Sequence, residues 1–204
     1  MWRPGSIGVA LWLGCWPASS SGQALEASPF IGYRFGGGFF ERVTGQAVDL
    51  DGARAVGGVV DVRVGDGLFV EGFVTHQSAH VTVPAGPFAP PATWRIAVDQ
   101  WQGGGLQEFG RGTRVRPFAT GLLGLTRYAA AGDDEIRFSV SGGGGVKLMP
   151  ARRLGVRLDG RVFATFAYVD AQVLGCGPGV CLAGVRADIV WQAEFSAGLV
   201  VAFR

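Results

Sequence analysis

The chain has 204 residues, a length that suits one domain with a sizeable enclosed interior. Its formal net charge of +2, spread without a basic cluster, argues against nucleic-acid binders, which present a concentrated positive face. Hydrophobic residues make up 48% and charged residues 17%, yet no unbroken apolar stretch reaches the roughly eighteen residues that a membrane-spanning helix needs. Since only helices and closed barrels satisfy every backbone group in a membrane, this composition favours a β-barrel.

The first segment, residues 1–24, is predicted to be a cleaved secretory signal. It has a positive start, the apolar run Ile7–Trp16, which is too short to span a bilayer, and small residues up to Ala24 that suit cleavage. Two alternatives stay open here: a buried first strand, or lipid attachment at Cys15, which ends a Leu-Gly-Cys sequence resembling part of a lipoprotein cleavage box. The folded domain is expected in residues 25–204.

The rest of the chain repeats one unit, a run of about ten residues with apolar side chains at every second position. Successive side chains of a strand point to opposite faces, so the apolar and charged residues of each run fall on opposite faces. The number of runs is even, as a closed antiparallel single-chain barrel requires. The eight predicted strands are Pro29–Phe39, Arg54–Val64, Leu68–His76, Thr93–Gly103, Val115–Tyr128, Glu135–Leu148, Leu154–Asp170 and Arg186–Phe203.

The connections between these strands alternate in length. Gly65-Asp66-Gly67 is a tight hairpin signal, and residues 150–153 form another short link. The segments Gln77–Ala92 and Ala171–Val185 are much longer. Short turns at one end and long loops at the other are typical of an outer-membrane barrel with both termini at the short-turn end. The expected fold is therefore all-β, a closed antiparallel eight-stranded up-and-down transmembrane β-barrel.

The charged face of the strands is expected to point into this barrel, because an Arg at the bilayer midplane costs roughly 2–4 kcal/mol. The interior of an eight-stranded barrel is about wide enough for side chains to fill. We therefore predict a sealed interior of mixed charge and not a wide pore. The predicted interior polar network comprises Arg34, Asp61, Arg63, Glu71, Arg95, Asp99, Arg137, Lys147, Arg157, Asp159, Arg161 and Glu194.

The chain closes on a strand-like run in which Ser196, Gly198, Val201 and Phe203 fit the pattern polar, any, Gly, any, any, apolar, any, aromatic. This pattern resembles the carboxyl-terminal signal of outer-membrane barrels, which their assembly machinery reads. Together with the eight alternating runs, it makes the chain similar to the small eight-stranded outer-membrane barrels of the OmpA/OmpX-like group.

The resemblance implies a bacterial outer-membrane location with periplasmic termini, in contact with outer-membrane lipids and lipopolysaccharide. It also implies a structural role or binding by the surface loops, to a partner that the sequence does not identify. The favoured prediction is a non-enzymatic protein without a cofactor.

Cys176 and Cys181 lie in the last long connection, separated by Gly-Pro-Gly-Val. In an exported chain this spacing favours a small loop disulfide, formed in an oxidising compartment. Such a bridge would pre-order the loop, which makes it the first candidate for a binding surface. No metal site is expected, because two thiols without further ligands nearby do not fill a tetrahedral site.

The two histidines of the sequence, His76 and His80, share one face of the third strand with Ser78. A His/Ser pair can begin a nucleophilic site if a carboxylate orients the imidazole. The pair resembles the His-any-Ser element of lipid A deacylases, although no orienting Glu is evident. Hydrolysis of lipid A or phospholipid by Ser78 and His76 is therefore the alternative enzymatic hypothesis. A third is an exported soluble, lipocalin-like barrel that binds an apolar ligand in its lumen.

Overall fold

The structure is a computed structural model that describes residues 24–40, 47–83, 92–110, 114–130, 133–166 and 189–203. All the secondary structure in these ranges is β. In chain order the strands are β1 (Leu25–Gly36), β2 (Gly38–Phe40), β3 (Ala47–Asp49), β4 (Ala53–Arg63), β5 (Leu68–Val83), β6 (Ala92–Glu108), β7 (Val115–Ala130), β8 (Asp133–Leu148), β9 (Leu154–Thr165) and β10 (Val190–Phe203).

Within the described ranges, eight strands form a closed barrel in the order β1-β10-β9-β8-β7-β6-β5-β4, and β2 pairs with β3 in a separate small sheet. Every barrel pair is antiparallel, and each strand pairs with its neighbours along the chain. The barrel closes where β1 pairs with β10 on one side and with β4 on the other. The predicted fold, a closed antiparallel eight-stranded barrel, is confirmed.

The longest connections lie at one end of the barrel, which we call the loop end, and the opposite end is the turn end. The predicted alternation of short and long links is incomplete, because the link at residues 131–132 is short although it lies at the loop end. The turn end holds Leu25 and Phe203, which face each other across the β1–β10 pair. In its first turn, Gly67 takes a φ of 71°, a left-handed conformation that glycine adopts without strain. The turn-end links are residues 64–67, 109–114 and 149–153, and the loop-end links are residues 37–52, 84–91, 131–132 and 166–189.

Several strands run further than the sequence predicted, β5 and β6 the most. β5 continues past His76 to Val83, so residues 77–83 of the segment Gln77–Ala92, predicted to be a loop, are strand. β6 begins at Ala92 and continues past Gly103 to Glu108. Beyond Gln77 the inward residues of the β5 extension, Ala79 and Val81, are apolar and pack against inward residues of β6 and β7, which explains why this strand continues. The resulting buried cluster comprises Leu50, Ala79, Val81, Ile96, Val98, Tyr128 and Ala130.

The outward faces of the barrel strands form a continuous apolar band. On β9, Leu154, Leu158 and Val162 are exposed, whereas Arg157 and Arg161 between them are buried. Apolar residues outside and charged residues inside are the arrangement of a membrane barrel. A soluble lipocalin-like barrel requires the opposite, with its charged residues in water.

Among the residues that the structure describes, no helix is long and apolar enough to cross a membrane.

Candidate functional site

The turn-end half of the barrel interior is built around Lys147 of β8. Its Nζ lies 2.8 Å from carboxylate oxygens of both Glu26 and Asp61. It also lies 2.9 Å from a carboxylate oxygen of Glu108. All four side chains are buried. Because a buried charge is costly unless paired, the ammonium and the three carboxylates depend on one another.

Two arginines of β9 continue this network across the barrel. Arg157 donates to Asp61 at 3.1 Å and to Glu71 at 2.7 Å. Arg161 donates to the other oxygen of Glu71 at 2.9 Å, and both guanidinium groups contact Asp159. The ion pairs therefore connect β1, β4, β5, β6, β8 and β9 through the barrel interior.

Phenylalanine rings separate the charged groups and fill the space between them. The Arg157 guanidinium lies 4.4 Å from the centre of the Phe118 ring, and that of Arg161 lies 4.3 Å from Phe73. Gly145 makes room for one of these rings, because a Cβ at this position would lie 2.9 Å from Phe118. Cations stacked on rings are favourable contacts in a desolvated site. The interior is thus filled by side chains at this level.

Most members of the predicted interior network do lie inside the barrel. Arg34 is buried nearer the loop end, where it pairs with Glu194 at 2.6 Å. Arg63 lies over the Phe69 ring, and Arg137 pairs with Glu135. The members that are fully or almost fully buried are Arg34, Asp61, Glu71, Lys147, Arg157, Asp159, Arg161 and Glu194.

The predictions for Arg95 and Asp99 are wrong, because both lie on the outward face of β6. Their buried neighbours Ile96 and Val98 occupy the inward face instead. A charged side chain indicates the barrel interior only within the apolar band, where an outward charge is costly. Near the loop end β6 extends past the apolar band, so outward charges no longer meet hydrocarbon.

Asp99 belongs to a polar row that crosses the outer face of neighbouring strands. It lies opposite His76 of β5 and opposite Arg127 of β7. Its Oδ1 is 2.6 Å from Nδ1 of His76, and its Oδ2 is 3.3 Å from a guanidinium nitrogen of Arg127. Arg127 also contacts Asp134 of β8. We call His76, Asp99, Arg127 and Asp134 the outer polar row.

Ser78 lies next to this row, with its Oγ 3.3 Å from Nε2 of His76. When Nδ1 of His76 donates its proton to Asp99, Nε2 is free to accept the hydroxyl proton of Ser78. Carboxylate, imidazole and hydroxyl in this order are the groups that activate a serine nucleophile. The second histidine, His80, lies on the same face, opposite Arg95.

Sequence reasoning selected His76 and Ser78 but missed Asp99 as their partner. The carboxylate is 23 residues from His76, and only the register of β5 and β6 brings them together. The sequence signal that could have found Asp99 is the hairpin of β5 and β6, because two adjacent antiparallel strands pair residues that lie on the same face. Counting that register requires the true ends of β5 and β6, which lie beyond the predicted ends of these strands.

The outer polar row marks the loop-end edge of the apolar band. Two residues further towards the turn end, the next outward side chains of β5, β6 and β7 are Val74, Trp101 and Leu125. Each has nearly half of its surface exposed. Towards the loop end the outward residues of β5 are Ser78 and His80. The row therefore lies where the outer surface changes from apolar to polar.

An apolar groove of about 750 Å³ opens on the outer face just on the turn-end side of the row. Gly58, Gly72 and Gly103 lie along it, and a Cβ at Gly58 would meet no atom within 4 Å. The missing side chains on three neighbouring strands make the depression. Its other outward residues are Ala27, Pro29, Val60, Val74, Trp101, Leu123 and Leu125.

The proposed terminal signal lies on β10. Phe203 points outward opposite Leu25, and Gly198 allows close approach of β1, since a Cβ there would lie 2.6 Å from the carbonyl oxygen of Pro29. Ser196 and Val201 lie on the same strand. Cys15, Cys176 and Cys181 lie outside the described residues. Within the described ranges, no group of three or more His, Cys, Asp or Glu residues is arranged to hold a metal ion.

No protein-family model and no curated protein matches this chain. Among solved structures it is similar to Neisserial surface protein A, with a TM-score of 0.56, 13% identity, and coverage of 90% of this chain and 98% of that one. It is also similar to the outer membrane protein OprG from Pseudomonas aeruginosa, with a TM-score of 0.56, 11% identity, and coverage of 89% and 96%. At these identities the likeness concerns the fold, which is that of small eight-stranded outer-membrane barrels.

Proposed function

We propose that the chain is an integral barrel of the bacterial outer membrane, with its termini in the periplasm and its loop end at the cell surface. The observation that carries this proposal is the inverted surface: apolar side chains face outward on every barrel strand, and the largest network of ion pairs is inside. Such a surface is unfavourable in water and favourable in a bilayer. The likeness in fold to two outer-membrane proteins supports the same location.

The barrel contributes to the outer membrane as a sealed structural element and as a carrier of surface loops, and not as a wide pore. The network around Lys147 and Arg157 and the rings of Phe118 and Phe73 support this, because they fill the turn-end half of the interior. Outer-membrane lipids and lipopolysaccharide surround the apolar band. The loops bind a partner that is not yet identified, and the Cys176–Cys181 loop remains the first region to test.

The amino-terminal segment acts as an export signal that is removed, and β10 carries the signal for barrel assembly. The start of β1 at Leu25 is consistent with cleavage after Ala24, because the whole of β1 would be kept and only the hydrogen bond from Arg63 to the carbonyl oxygen of Ala24 would be lost. Ser196, Gly198, Val201 and Phe203 are the residues that the assembly machinery would read.

Expression of the full chain in a Gram-negative host, followed by membrane fractionation, tests the location. We expect the protein in the outer-membrane fraction, extracted only by detergent, with a gel mobility that shifts on boiling. The mass of the purified protein should correspond to a start at Leu25. A soluble periplasmic product without a heat-dependent shift would contradict the proposal. Conductance in planar bilayers, compared with a known porin, tests whether the interior is sealed.

A further inference from the structure

We propose that the outer face of the barrel carries an ester-hydrolysing site that acts on an acyl ester of a lipid in the surrounding leaflet. Ser78 is the nucleophile, His76 the general base, and Asp99 the positioning residue. This inference goes beyond the proposed structural role, and it rests on the proposed position of the barrel in the membrane.

The first support is the geometry of the three groups. Both ring nitrogens of His76 are engaged, one by Asp99 at 2.6 Å and the other by Ser78 at 3.3 Å. The imidazole is therefore oriented in the tautomer that a general base needs. Arg127 holds the second oxygen of Asp99, which keeps the carboxylate directed at His76.

The second support is accessibility. The His76 side chain is 51% exposed, so a molecule beside the barrel reaches its edge and the Ser78 hydroxyl directly. Exposed ion pairs contribute little to stability. The stability of the fold therefore does not require a His, an Asp and a Ser to lie together on this surface. Ester hydrolysis does require these three groups together.

The third support is depth. The outer polar row lies where the apolar band ends, one outward position from Val74 and Trp101. In a bilayer, this boundary is where the ester groups of lipids lie, between the hydrocarbon core and the polar headgroup region. Ser78 is thus placed at the level of lipid esters and away from the centre of the membrane.

The fourth support is the apolar groove, which provides a place for the acyl chain. It begins at Val74 and Trp101, beside the polar row, and continues towards the turn end over Gly72 and Gly103. Its volume lies within the range of about 300–1,000 Å³ that is usual for small-molecule sites. A lipid whose ester lies at Ser78 has its headgroup towards the loops and its chain in the groove.

The reaction consists of two acyl transfers. Oγ of Ser78 attacks the ester carbonyl carbon while Nε2 of His76 takes the hydroxyl proton, and the alcohol leaves with that proton as the C–O bond breaks. Water then attacks the acyl-serine with His76 again as base, which releases the fatty acid and restores Ser78. The strand N–H groups are used in the sheet, so the oxyanion requires a side-chain donor. Arg95, opposite His80 on the loop side of Ser78, is the nearest candidate by register.

The test uses the full chain, expressed in the outer membrane and extracted in detergent, with p-nitrophenyl palmitate micelles and purified lipopolysaccharide as probes. Fatty acid release is measured by mass spectrometry, and Ser78 is labelled with a fluorophosphonate. We expect Ser78→Ala to abolish labelling and release, and Asp99→Asn to slow both by about 10³-fold or more. His80→Ala is the matched control and should change neither rate.

Heat-dependent mobility is recorded for every variant, which separates the two proposals. Wild-type protein that shifts on boiling but neither labels nor releases fatty acid from either probe overturns the hydrolase and leaves the barrel proposal intact. Equal activity in the Ser78→Ala variant also overturns it. Wild-type protein that is soluble and shows no shift overturns both. Release from palmitate but not from lipopolysaccharide supports the hydrolase and excludes lipopolysaccharide as its substrate.

The groove is tested separately with Gly58→Leu and Gly142→Leu. A Cβ at either glycine meets no atom within 4 Å, but only Gly58 lines the groove, because Gly142 lies on β8. We expect Gly58→Leu to slow hydrolysis of p-nitrophenyl palmitate by about tenfold or more and to leave p-nitrophenyl butyrate unaffected. Gly142→Leu should change neither. Equal effects of the two variants on palmitate overturn the assignment of the groove.

Discussion

The barrel has two clusters of charged residues, one inside and one on the outer face. The closed barrel interior explains the inner cluster but not the outer one. Inside, Lys147 contacts three buried carboxylates in a space lined by phenylalanine rings. Outside, the outer polar row also pairs charged groups, but it is open to the exterior. Its contacts include those of Asp99 with His76 and Arg127. The inner groups are needed to fill and neutralise a closed barrel. The outer groups are not, so position distinguishes structural charge from candidate functional charge.

Removing the inner cation should have the largest effect on stability. Lys147→Met leaves Glu26, Asp61 and Glu108 close together without the ammonium, and loss of one partner from a buried ionic group costs about 3–5 kcal/mol. Urea unfolding in detergent micelles, followed by the heat-dependent gel shift, measures this loss. Arg152→Met, in an exposed turn, is the control and should leave the midpoint unchanged. An unchanged midpoint for Lys147→Met would mean that the inner network is not required.

A charge placed on the apolar band should have a smaller effect that depends on depth. Leu158→Arg puts a guanidinium near the middle of the outward face of β9, at a cost of about 2–4 kcal/mol, whereas Leu154→Arg near the turn-end edge should cost about 0–1 kcal/mol. Both leucines are exposed in the structure. Unfolding in lipid bilayers compares the two variants. Equal costs at the two positions would contradict the placement of the band in the membrane.

Removing the outer histidine should have the smallest effect on stability. His76→Ala breaks an exposed pair with Asp99, for which we expect a change of less than about 1 kcal/mol. The same variant should lose fatty acid release. A loss of stability as large as that of Lys147→Met would show that the outer row is structural, and the contrast between the two clusters would disappear.

Much of the fold could be predicted from the sequence, because alternation of apolar and charged residues specifies both the strands and their faces. The interior positions of Lys147, Arg157 and Arg161 followed directly from this rule. The rule failed at Arg95 and Asp99, where the strand leaves the apolar band and parity no longer reports the interior. The catalytic arrangement was only half predicted. His76 and Ser78 are neighbours on one strand, but Asp99 joins them through a cross-strand register that depends on where β5 and β6 turn.

Barrel closure has a kinetic consequence. The contacts between β1 and β10 join Leu25 to Phe203, so they are among the most distant in sequence that this barrel makes. Contacts of such high sequence separation form slowly, because a long loop must close before they are gained. Until then both strands present unpaired edges, which readily join other chains. The unfinished barrel therefore depends on protection from aggregation, and β10 is the strand that ends this dependence.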